Sequence, residues 1–105
     1  MLHALLDATQ VLGTIDMEGA THEVCAEVMA SHDRRSNQLT VELKAFLRSE
    51  KQDHLGETAV AAWLPQSQTV VEHVDPGEAH ELANDVFASW RAKVNAALAQ
   101  AKGGA

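Results

Sequence analysis

The sequence predicts an α+β two-layer domain over residues 1–105. It is a four-stranded antiparallel meander with a long helix from the C-terminal third on one face and a short N-terminal helix, in the order α-β-β-β-β-α. Three observations lead there. An apolar stripe of helical period runs through the last third of the chain behind a complete N-terminal capping signal. The two halves of residues 21–48 complement each other as a hairpin in one register. The length, 105 residues with 46% hydrophobic content, of which 18 are alanine, suits one domain with a modest core.

The N-terminal element is read from Leu2, Leu5, Leu6, Thr9 and Leu12, whose spacing makes a short helical stripe, and Gly13 marks its end. Ile15 and Met17 then lead through Glu18-Gly19-Ala20 into the first strand. In the next segment, Val24, Cys25, Val28 and Met29 fit a helix, whereas Val24, Ala26, Val28 and Ala30 alternate as in a strand. Pairing the halves breaks the tie. With Arg34-Arg35-Ser36-Asn37 as the loop and Asp33 facing Gln38, Ala30 stacks on Val41, Val28 on Leu43, Ala26 on Ala45 and Val24 on Leu47. On the other face Glu27 meets Lys44, Glu23 meets Arg48 and Cys25 meets Phe46. Opposite-charge cross-strand pairs contribute roughly 0.2–1 kcal/mol each, and a two-residue slip would set Glu27 against Glu42.

After the polar stretch Ser49–His54, the apolar run Glu57–Leu64 reads as a central strand covered on both faces, with a short buried helix as the alternative. Pro65–Gln68 reads as a turn, and Thr69–Val74 as a β-branched fourth strand that forms a second hairpin with the third. The C-terminal helix begins at Asp75-Pro76-Gly77-Glu78: a capping residue, proline at the first helical position and an acid three residues after the cap. Apolar residues recur from Ala79 to Ala101, anchored by Phe87 and Trp90, and Gly103-Gly104 ends the helix, with residues 103–105 as a loose tail.

Charge narrows the function classes. The formal net charge is −7, and the basic residues nowhere cluster beyond Arg34-Arg35. Such a chain repels a phosphate backbone over most of its surface, so nucleic acid is not an expected partner. No apolar run approaches the roughly 20 residues needed to span a bilayer, and the N-terminus has no basic region before its apolar stretch, so neither a membrane nor a signal peptide is expected. Cys25 is the lone cysteine. Together these features favour a cytoplasmic protein.

Candidate chemistry is sparse. His22, His32, His54, His73 and His80 each adjoin an acid, yet adjacent residues on a strand or helix do not share a face. His22-Glu23 and His80-Glu81 lack the second histidine of a zinc-protease motif. The serines lie in no nucleophile elbow, and the glycines form no phosphate-cradling loop. No catalytic, metal-binding or cofactor-binding residue is therefore assigned, and no cofactor is expected. What the pattern does offer is an apolar outer sheet face, with Cys25, Met29 and Phe46 as the candidate partner-binding residues. The expected function is a small non-catalytic binding module for a protein partner or a second copy of the chain. A histidine-and-acid enzyme or metal-responsive sensor is the alternative, and a ligand pocket lined by Leu43, Val86 and Trp90 is a third reading, set against simple core packing. A short N-terminal helix packed on the outer face would cover it and leave a monomer.

Overall fold

The computed structural model describes residues 2–17, 19–49 and 58–103. Three long strands, β1 (Leu2–Met17), β2 (Ala20–Asp33) and β3 (Gln38–Ser49), are followed by β4 (Thr58–Ala59), β5 (Gln68–His73) and helix α1 (Pro76–Gly103). The sheet is antiparallel and four strands wide, because β4 and β5 both pair with the far edge of β3. The class is α+β, with the C-terminal helix on one face.

The β2–β3 hairpin has the register derived from its charges and its parity, with Glu27 opposite Lys44, Glu23 opposite Arg48 and Cys25 opposite Phe46. Its loop closes through Asn37, which takes a left-handed conformation (φ 51°) that asparagine tolerates better than most residues. The Asp33 carboxylate accepts the Arg35 backbone N–H at 3.0 Å, and this bond lowers its pKa below the ordinary value.

The N-terminal segment corrects the sequence reading. Residues 2–17 form a strand antiparallel to β2 and not a helix, so the order starts with β. The physical reason lies in two β-bulges, between Ala4 and Leu6 and between Val11 and Gly13. Each bulge inserts a residue and turns two successive side chains to one side. Leu5 and Leu6 both pack toward the core, as do Leu12 and Gly13. Two such doublets imitate the three-and-four spacing of a helix. At Gly13 the strand and helix come close: a Cβ there would lie 2.9 Å from Leu98 Cδ2, so the leucine side chain would have to shift to admit one.

The run 57–64 is a second correction. Among its described residues only Thr58–Ala59 pair, with Arg48 and Leu47, and the following residues leave the sheet. A turn closed by Leu64 N–H donating to the Ala61 carbonyl then returns Leu64 to the core. Over Gln38–Leu43 the far edge of β3 belongs to β5, so the expected third-and-fourth-strand hairpin does not form. Alanine, which dominates this run, has little strand preference of its own to oppose that outcome.

The core lies between α1 and the inner face of the sheet. Val24, Ala26, Val28 and Ala30 of β2 and Leu39, Val41, Leu43, Ala45 and Leu47 of β3 meet Ala79, Ala83, Phe87, Trp90, Val94 and Leu98 of the helix. The paired Ala26 and Ala45, with Ala79 and Ala83 above the sheet, keep the layers close. Trp90 donates its indole N–H to the Lys44 carbonyl at 2.9 Å, and Arg91 donates to Gln10 Oε1 at 2.8 Å while lying over the Phe87 ring. Gly103 is the last residue of α1, so it belongs to the helix and not to a tail; residues 104 and 105 lie outside the described residues.

Candidate functional site on the outer sheet face

Alternation sends every second side chain of β1, β2 and β3 away from the helix. At the centre of this outer face, Val11, Cys25 and Phe46 form one cross-strand row. A second row holds Asp7, Met29, Glu42 and Thr69, and Val71 lies beside Thr40 on the next. All three residues selected from the sequence therefore lie on one face, but in different states. Met29 is 50% exposed, Phe46 is half-buried and Cys25 is fully buried.

Met29 borders a depression of about 520 Å³ with Leu2, Ala4, Ser31, Thr40 and Glu42. Leu2, Val11 and Val71 are further exposed apolar groups on this face. Leu2 and Val11 escaped the sequence reading because a helix had been expected there. Strand parity carried from β2 across the turn at Gly19 does not find Val11 either, because the bulge between Val11 and Gly13 shifts the phase by one residue, and unbroken alternation would turn Val11 inward opposite Ala26.

The face is acidic. Asp7, Asp16, Glu23, Glu27, Asp33 and Glu42 share it with Lys44 and Arg48. Arg48 Nε donates to Glu23 Oε1 at 2.9 Å, and this bond raises the arginine pKa; Thr9 donates to Glu27 Oε1 at 3.2 Å. Burial raises the pKa of the Cys25 thiol, Arg48 opposes that shift, and Glu23 and Glu27 add to it. Buried and shifted toward its protonated form, the thiol packs as a small apolar side chain.

A thiol reagent should modify the native protein about 100-fold or more slowly than the denatured chain, because access requires an opening that costs several kcal/mol. The folded-state pKa lies above the unfolded one. Stability is therefore unaffected below about pH 8.5, the ordinary thiol value, and declines as pH rises from there through the folded value. Cys25→Ala should lose that alkaline slope in pH-dependent urea melts. Equal labelling of native and denatured protein would contradict the burial.

The other candidate residues are dispersed. His22 lies on β2 opposite Ile15, His73 lies at the β5 end, and His80 on α1 bonds to Asn84. His54 lies outside the described residues. Among the described residues, no three His, Cys, Asp or Glu side chains are grouped so that they could hold a metal. His32 is buried with the core, as its parity with Val28 and Ala30 requires, and its Nε2–H donates to the Val74 carbonyl at 2.8 Å. Leu43, Val86 and Trp90 do line a cleft of about 270 Å³ with Gln68, Val70 and Lys93. Leu43 and Trp90 are buried core residues, which favours core packing.

Compared with known proteins, the chain matches no family model, no curated protein and no solved structure. No helix among the described residues is long and apolar enough to cross a membrane.

Proposed function

We propose that the protein is a non-catalytic interaction module that receives a protein partner on the outer face of its sheet. One observation carries this reading. The N-terminal segment, which as a helix would have covered that face, is instead a strand of the sheet, and α1 packs on the opposite side. Among the described residues nothing lies over Met29, Val71 and Leu2. Exposed apolar residues grouped on one face and rimmed by polar ones mark interaction surfaces. The surrounding carboxylates favour a partner with cationic groups around an apolar contact.

The test is affinity capture from lysate with the wild-type chain and with Met29→Lys and Val71→Lys, followed by binding measurements on the captured protein. Both side chains are exposed, so thermal unfolding should be unchanged. Each substitution should weaken binding at least about tenfold by removing apolar contact and repelling a cationic partner, and added salt should weaken the wild-type complex. A partner held equally by all three proteins, or no partner at all, would overturn the reading.

A further inference from the structure

β1 is an edge strand of 16 residues, and among the described residues nothing pairs with its outer side. At about 3.3 Å per residue it runs the full 50 Å of the molecule. Long edges invite pairing with another chain, and proteins guard them by shortness, lysine, proline or bulges. The opposite edge is guarded by shortness, since β5 has 6 residues and β4 has 2. Of these guards β1 has only its two bulges: it is long, has no lysine and no proline, and carries only Asp7 and Asp16 as charges.

Its bulges add a second fact. Toward the helix face β1 presents His3, the doublet Leu5–Leu6, Ala8, Gln10, the doublet Leu12–Gly13, Ile15 and Met17. Between His3 and Ile15 that pattern reads the same from either end about Thr9. We propose that a second copy of this chain pairs antiparallel with β1 across a two-fold axis at Thr9, which would make one continuous sheet eight strands wide.

A two-fold interface is self-complementary, and each residue pair must share a face of the sheet. With Thr9 on the axis, His3 meets Ile15, Leu5 meets Gly13, Leu6 meets Leu12 and Ala8 meets Gln10, all inward. Moving the axis to Ala8 or Gln10 sets inward residues against outward ones: Leu5 against Val11 in the first case, Leu6 against Thr14 in the second. A doublet then faces a doublet, so the two strands bend together. The charges also fit, because Asp7 meets Val11 and Asp16 meets Leu2, and no two acids of β1 face each other. Val11 and Leu2, exposed in the single chain, gain cross-strand neighbours. This inference concerns the strand edge and stands independently of the outer-face reading. The net charge of −7 opposes association at long range, so salt should strengthen the dimer, the reverse of its effect on a cationic partner.

Sedimentation and light scattering of the full chain test the proposal, with dimer expected and favoured by salt. Thr9→Lys places two ammonium groups opposite each other at the axis and should weaken the dimer at least about tenfold. The single chain should stay folded, since the new lysine faces Glu27. Thr9→Cys should form an intermolecular disulfide under mild oxidation, whereas Asp7→Cys, which faces Val11, should not. A monomer under all conditions would overturn the proposal while leaving outer-face binding intact. A dimer kept by Thr9→Lys but lost on Met29→Lys would assign self-association to the outer face and also overturn it.

Discussion

Trp90→Ala should lower the free energy of unfolding by about 3–5 kcal/mol, read as a reduced midpoint in urea with Trp63 as the remaining fluorophore. The indole is 2% exposed at the middle of α1, where it joins the helix to β3 by packing and by the 2.9 Å bond to the Lys44 carbonyl. Truncation removes both contributions and leaves a cavity between the layers. Trp90→Phe separates them, because it keeps most of the packing and leaves the Lys44 carbonyl unpaired, at a cost of about 1–3 kcal/mol. Small domains are stable by only about 5–15 kcal/mol, so the alanine variant should be close to losing its fold. A loss below about 1 kcal/mol would mean that α1 is held to the sheet by other contacts, with Phe87 and Val94 the first to test.

The β2–β3 hairpin was legible because two independent codes agreed: the inward parity of Val24, Val28, Val41 and Leu43, and the charge pairs Glu23–Arg48 and Glu27–Lys44. The long helix was legible because its capping signal and its stripe pointed to the same boundaries. β1 was not legible, since a bulge shifts phase by one residue and two bulges turn a period of two into something close to a helical one. The apolar run before Pro65 failed for another reason. Hydrophobicity records that Leu64 is buried but not which part of an edge is free to pair, and β5 takes Gln38–Leu43 of β3 while β4 meets only Leu47 and Arg48. The outer-face residues Cys25, Met29 and Phe46 followed from the hairpin parity alone. Their differing exposure depended on β1, whose Val11 lies beside Cys25.

His32 is where a polar residue serves the fold most directly. Its Nε2 lies 2.8 Å from the Val74 carbonyl, and a carbonyl only accepts, so Nε2 carries the proton. The Val74 backbone N–H donates in turn to the Asn37 carbonyl at 2.9 Å. Val74 is therefore fixed to the tip of the β2–β3 hairpin at both its polar groups, just before Asp75 and Pro76 start α1. His32→Ala should cost about 3 kcal/mol, combining a cavity at a site 2% exposed with an unpaired buried carbonyl. His32→Leu refills the volume and should cost less, though it leaves the carbonyl unpaired. Hydrogen exchange gives the sharper test. If the imidazole ties the helix start to the hairpin, exchange should accelerate at Val74 and in the first turn of α1 in both variants, while the middle of α1 near Trp90 changes only with global stability. Uniform acceleration along the whole helix would instead make His32 a packing residue, with no special hold on the junction between sheet and helix.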